Sequence, residues 1–306
     1  MGYDIIGDIH GQIGKLESLL AKLGYRRKDG AYRHPEGRTA LFLGDLVDRG
    51  PGQVAVVNIV REMIDHGTGR CVLGNHEWNA IGYATENADK TGYLRPHTEG
   101  KRKEHAEFLR QVGEGSSLHR ELVEWFKTLP PFLDLGSVRI CHAWWRPESI
   151  AHIGRRMNLP GGLDAQFILD SFDRCGADWR AMEDVTKGME LALPEGAFFY
   201  DHDGTARKDI RVKWWDEDVR TYREAALISE KHRNELPPLA LPSDLRFGPT
   251  SAVPTFVGHY WLKGTPRIQN ASTAVVDYSA GGDGPLVAYR WEGELVLSDA
   301  GFVASH

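Results

Sequence analysis

Gly44-Asp45-Leu46-Val47-Asp48-Arg49-Gly50 follows the apolar run Thr39-Ala40-Leu41-Phe42-Leu43. The run reads as a buried strand closed by glycine. Two carboxylates and an arginine then crowd together at its end, an arrangement that calls for positive charge between the acids. Tyr3-Asp4-Ile5-Ile6 leads in the same way into Gly7-Asp8-Ile9-His10-Gly11, and Cys71-Val72-Leu73 leads into Gly74-Asn75-His76-Glu77. Three strand ends, each followed at once by Asp, His or Asn, form the pattern of a metal site on the edge of a sheet.

The segments between these strands are helical. Ile13, Leu16, Leu19, Leu20 and Leu23 recur at helical spacing, with Gly24 as a stop. Pro51 is expected to open a second helix carrying Val54, Val57, Ile59, Val60, Met63 and Ile64. Strand and helix therefore alternate, which implies right-handed crossovers and a parallel sheet core. Residues 25–38 read as a solvated loop. Residues 78–130 read as mainly helical, with Lys101-Arg102-Lys103-Glu104-His105 as a solvated face. Val138-Arg139-Ile140-Cys141 is a further strand ending at His142, and Pro254-Thr255-Phe256-Val257 another ending at Gly258-His259. Thr273–Tyr278, Pro285–Trp291 and Glu294–Ser298 suggest an antiparallel meander.

The chain of 306 residues is long enough for one large domain or two ordinary ones. We expect a single domain over 1–306, with a helical and irregular insertion at about 143–253 that could cover the site. Within it, helical stretches are expected near 180–192 and 217–235. A hairpin is expected to pair Ala197-Phe198-Phe199-Tyr200 with Ile210-Arg211-Val212-Lys213-Trp214 around Asp203-Gly204.

A net charge of −6 argues against wrapping extended nucleic acid by general electrostatics. Cys71, Cys141 and Cys175 form no C-x-x-C pair and make a poor disulfide framework, so a reducing compartment is expected. The opening Met1-Gly2-Tyr3-Asp4 goes straight into a strand and leaves no room for a signal peptide. No apolar run is long enough for a bilayer. The expectation is a cytoplasmic protein with no membrane partner.

Asp8, His10, Asp45, Asn75, His142 and His259 all lie at or just past the C-terminal ends of strands, the edge where open α/β sheets bind ligands. The mix of carboxylate, imidazole and amide, without thiolate, suits manganese, iron, zinc or magnesium. Six such groups exceed the need of one open catalytic ion and fit two ions sharing a carboxylate. Asp45, on the middle motif, is the natural bridge.

The motifs GDxHG, GDxVDRG and GNHE appear here intact and in order. The sequence thereby resembles the calcineurin-like metallophosphoesterases, in particular their phosphoprotein phosphatase branch. That branch includes bacterial diadenosine tetraphosphatases and Ser/Thr protein phosphatases. Cys141-His142-Ala143 and Gly258-His259-Tyr260 match its later metal histidines more loosely. The resemblance implies an α/β fold, a β-sandwich flanked by helices, with a dinuclear site at the C-terminal ends of strands. It implies two divalent ions, manganese first among manganese, iron, zinc and magnesium, one on Asp8, His10 and Asp45 and the other on Asp45, Asn75, His142 and His259. Arg49 would bind phosphate, and His76, oriented by Asp48, would protonate the leaving oxygen. A second phosphate-binding arginine has Arg146 and Arg220 as candidates.

The resemblance implies hydrolysis of phosphoesters or phosphoanhydrides. The substrate expected first is nucleotide-like, a dinucleoside polyphosphate. A phosphoprotein is the alternative, and an inactive metal-binding scaffold the non-enzymatic one. His34, His66, His97, His105 and His119 are expected on the surface. Trp144, Trp145, Tyr260 and Trp261 flank the metal histidines and are expected to pack, with stacking on a base as the other possibility.

Overall fold

The computed structural model describes residues 2–157, 162–200, 206–243 and 245–305. Two compact units emerge where the sequence suggested one domain with an insertion. Met1–Lys187 with Val253–His306 form the first, and Gly188–Ala252 the second. Residues 143–187 of the expected insertion thus belong to the first unit.

In the first unit the strand Tyr3–Ile6 is central. It pairs in parallel with Thr39–Phe42, which pairs in parallel with Gly69–Cys71. On its other side it pairs antiparallel with Val287–Trp291, and that strand with Phe302–Ala304. A second sheet of four strands runs Thr273–Val275, Thr255–Val257, Arg139–Cys141, Phe132–Asp134; all its pairs are parallel except the last. Ile5, Leu41, Leu43, Val72 and Tyr289 of the first sheet share one buried core with Val138, Ile140, Phe256, Ala274 and Val276 of the second. Alternation of side chains along each strand makes this possible, because each sheet turns one apolar face inward. The helices Ile13–Lys22 and Gln53–Asp65 flank the first sheet, burying Leu16, Leu19, Leu20, Val56, Val57, Val60 and Met63. The expected sandwich flanked by helices is therefore the fold.

Several details differ from the sequence reading. Residues 26–33 form a short hairpin, Arg26–Lys28 with Ala31–Arg33, where a loop was expected. The second helix begins at Gln53, after Pro51 and the N-cap Gly52, so the proline precedes the first turn. Residues 85–98 hold no helix but a bridge between Glu86 and Tyr93. There is no meander: Thr273–Val275 joins the second sheet and Val287–Trp291 the first, so the two segments end on opposite layers. Period-two patterning marks a strand but not its sheet.

In the second unit, Glu190–Ala192 pairs with Asp209–Arg211, and Phe199–Tyr200 with Ala206–Arg207. The expected pairing of the segments at 197–200 and 210–214 is thus replaced by two separate ladders. The Asp203-Gly204 turn lies outside the described residues. Helix ends at Lys187, and helices in the 217–235 region are short, Tyr222–Ala225 and Glu230–Glu235. Leu193, Phe199, Ile210, Val212, Ala225 and Leu236 make this unit's own core. Among the described residues, no helix is long and apolar enough to cross a membrane.

Candidate metal centre

Parallel pairing places the ends of Tyr3–Ile6, Thr39–Phe42 and Gly69–Cys71 on one edge, so Asp8, Asp45 and Asn75 leave the sheet side by side. The backbone ties these loops together. Ile9 and His10 N–H both donate to the Asp45 carbonyl, at 3.0 and 2.8 Å. The second sheet is stitched to the same edge by His259 N–H, which donates to Asp8 Oδ2 at 2.9 Å; within that sheet Gly258 N–H donates to the His142 carbonyl at 2.8 Å.

Backbone strain concentrates here. His10, Asp45, Asp48, Arg49 and His259 all have left-handed backbones, with φ of 50°, 48°, 67°, 75° and 70°. L-residues adopt that region only when their surroundings fix it, and such residues cluster at functional sites. Gly44 shows the reason for the glycine in the central motif. Its φ is +88°, and a Cβ there would fall 2.3 Å from the Gly74 nitrogen.

Asp45 is the hub. Its Oδ2 lies 3.4 Å from His142 Nε2, 3.6 Å from His10 Nε2 and 3.8 Å from His76 Nε2. The donor atoms of His10, Asp45 and His76 lie within 4.8 Å of one another, as do those of Asp45, His142 and His259. Asn75 Oδ1 sits between His142 Nε2 at 3.0 Å and His259 Nδ1 at 2.8 Å. All these residues are buried.

The donor set fits divalent ions. His10 Nδ1 faces the Val47 carbonyl at 2.9 Å and must donate to it, which leaves Nε2 as a lone pair. Among the described residues, that Nε2 is buried with no hydrogen-bond partner, as is Asp8 Oδ1. Burial, with the neighbouring His76 next, lowers the His10 pKa to about 3, so the ring is a neutral donor. Buried acceptors without donors are costly unless a cation fills the gap. His142 Nδ1 donates to the Leu43 carbonyl at 2.6 Å, aiming Nε2 at Asp45. Burial drives the His142 pKa down, but Asp45 and Asp8 outweigh it and raise the value to about 10.

Arg49 is exposed beside this buried cluster, its guanidinium 4.1 Å over the half-buried Trp261 ring. His76 Nδ1 pairs with Asp48 Oδ2 at 2.5 Å. Two buried helpers escaped the sequence reading. Glu77 accepts from the backbone N–H of Asp45, Leu46, Val47 and Gly74, at 2.8, 2.8, 3.3 and 3.1 Å. Asp277 accepts from Trp261 N–H at 2.6 Å and Ser279 N–H at 2.9 Å, and it helps raise the Asp8 pKa after burial. Asp277 follows the buried run 273–276 as the other acids follow theirs, a signal legible in the sequence.

A family model for calcineurin-like phosphoesterase matches residues 1–179. The chain belongs to the calcineurin-like phosphoesterase family. It is 33% identical to the bis(5'-nucleosyl)-tetraphosphatase PrpE [asymmetrical] of Bacillus subtilis over 159 residues, 51% of this chain and 63% of that one. It is 49% identical over 76 residues to the protein of the same name from Halalkalibacterium halodurans, 25% of this chain and 31% of that one. The chain thus spans less than two thirds of these curated relatives. The cold-active protein-tyrosine phosphatase of a psychrophile Shewanella sp. superposes with a TM-score of 0.48 at 15% identity, over 100% of this chain and 80% of that one.

The candidate arginines diverge. Arg146 ion-pairs with Asp184 at 3.1 Å and Glu148 at 3.3 Å and stacks on Trp144. Arg220 belongs to the second unit, where it donates to the Glu217 and Val219 carbonyls at 2.6 and 2.9 Å. Trp145 and Tyr260 are buried packing residues, as expected. His105 and His119 are not surface residues; both are buried. His105 shares a helical face with Phe108, Leu109 and Val112, a spacing that outweighs the charged run before it.

Proposed function

We propose that this calcineurin-like phosphoesterase hydrolyses phosphoesters or phosphoanhydrides with two divalent ions, acting on a nucleotide-like substrate of the dinucleoside polyphosphate class. The carrying observation is Asp45 Oδ2 facing nitrogens of His142, His10 and His76 at 3.4, 3.6 and 3.8 Å. Asp8, His10 and Asp45 would hold one ion; Asp45, Asn75, His142 and His259 would hold the other. We take manganese first, with iron, zinc and magnesium as alternatives, since a mix of carboxylate and amide oxygens with imidazole nitrogens admits all four. Bound, the ions would supply a water of lowered pKa and charge to meet the phosphoryl oxygens.

The chain's own groups do the rest. Arg49, exposed at the rim, offers a planar fork to two phosphate oxygens. His76, held by Asp48, hands a proton to the leaving oxygen, a contribution of about 10²–10⁴-fold. Burial lowers the His76 pKa, but Asp45 and the bond to Asp48 outweigh it and raise it to about 9, which favours the acid form. Trp261 beside Arg49 supports a substrate that carries a base, and the names of the relatives favour the same class. Its three cysteines are free, in keeping with a cytoplasmic setting.

The test is hydrolysis of diadenosine tetraphosphate, phosphopeptides and p-nitrophenyl phosphate with added manganese, by wild type and Asp45→Asn. Diadenosine tetraphosphate should give the highest kcat/KM, and Asp45→Asn should lose about 10²-fold or more. Full activity in Asp45→Asn sinks the bridging role. Preference for phosphopeptides moves the protein to the phosphoprotein phosphatases.

A further inference from the structure

Asp48 divides its carboxylate between two imidazoles. Oδ2 pairs with His76 Nδ1 at 2.5 Å, and Oδ1 pairs with His105 Nδ1 at 2.7 Å. All three side chains are nearly inaccessible to water. His105 arrives from another part of the chain, 57 residues beyond Asp48. Its ring is clamped between Tyr83 and Phe108, at centroid distances of 5.4 and 4.9 Å. Its Nε2 is buried without a hydrogen-bond partner among the described residues. Nδ1 therefore carries a proton, which the Asp48 carboxylate accepts. A packing role alone would be met by an apolar side chain of similar size, without a buried nitrogen left unserved. What the imidazole adds is one directed N–H to Asp48.

We propose that His105 is a positioning residue that fixes the Asp48 carboxylate against rotation, so that Oδ2 holds the His76 ring aimed at the leaving oxygen. The Asp48 main chain is held separately, by Gln53. Gln53 Oε1 accepts from the Asp48 N–H at 2.6 Å, Gln53 Nε2 is tied to the Gly50 carbonyl at 2.6 Å, and the left-handed backbone of Asp48 is held between them. Those fix the main chain; among the described residues, His105 and His76 are the groups that grip the carboxylate. Loss of comparable outer partners at metal sites costs about 10–100-fold in activity.

The inference rests on His76 acting as the acid, so the experiment separates the two. Phenyl phosphate, a poor leaving group, is compared with p-nitrophenyl phosphate, a good one, in the manganese-loaded enzyme. His105→Ala should lose about 10-fold more kcat on phenyl phosphate than on p-nitrophenyl phosphate, with KM little moved. His105→Asn, whose amide can donate from the position of Nδ1, should recover most of that difference. If His105→Ala does not fold, His105→Leu replaces it against His105→Asn. An equal loss on both substrates, or no recovery in His105→Asn, overturns the proposal for His105. If His76→Ala itself shows no dependence on the leaving group, the acid reading fails instead.

Discussion

Gly258 packs directly on Asp8: a Cβ at position 258 would stand 2.0 Å from Asp8 Oδ1, a buried oxygen with no hydrogen-bond partner among the described residues. The glycine is what lets the second sheet approach closely enough for His259 N–H to reach Asp8 Oδ2. Gly258→Ala should therefore push the Asp8 carboxylate aside without changing the identity of any proposed ligand. We expect manganese affinity to fall about 10–100-fold, as for lost outer support of a ligand. Competition with a chelating dye measures it, and unchanged affinity would contradict the contact.

Glu77 holds the loop of the central motif from beneath. Removing its carboxylate in Glu77→Ala leaves the N–H groups of Asp45, Leu46, Val47 and Gly74 buried without acceptors. An orphaned buried donor costs about 1–3 kcal/mol. The metal-free variant should lose about 3–5 kcal/mol in urea unfolding, after allowance for relaxation and water entry. Glu77→Gln keeps one acceptor oxygen and should lose less. Equal stability of Glu77→Ala and wild type would show that the loop is held by other means.

Metal binding should release a proton at neutral pH. Without a cation, His142 carries a proton at pH 7, because Asp45 and Asp8 outweigh burial and raise its pKa to about 10. A cation on Nε2 must displace that proton, so affinity should rise roughly tenfold per pH unit between pH 7 and 9. The same charge stabilises the metal-free fold. Its contribution is complete below the unfolded value near 6.5 and disappears as pH rises through about 10. Calorimetric titration in buffers of different ionisation enthalpy counts the protons; zero release at pH 7 would contradict the pairing.

Arg49 and Trp261 should act as a unit on substrate binding. The guanidinium lies 4.1 Å from the ring centroid, within cation–π range, worth about 0.5–2 kcal/mol. Trp261→Ala should raise KM about 2–30-fold, with a smaller change in kcat. If the ring also receives a base, the rise will be larger for diadenosine tetraphosphate than for p-nitrophenyl phosphate. Steady-state kinetics on both substrates decides it.

The strand ends, the three acid-rich motifs and the later histidines were legible in the chain because they are local. An apolar run must be buried, and its polar exit must then lie at a sheet edge. Asp8, His10, Asp45, Asn75, His142 and His259 could be singled out on that ground. Which sheet each strand joined was not legible, since Thr273–Val275 and Val287–Trp291 carry similar patterns and separate only when both layers share one core. Nor was the grip of His105 on Asp48, because a hydrogen bond spanning 57 residues exists only after the chain has closed on itself. The sequence determined the kinds of donor; the tertiary packing decided which lone pairs meet, because burial removes the water that would otherwise satisfy them.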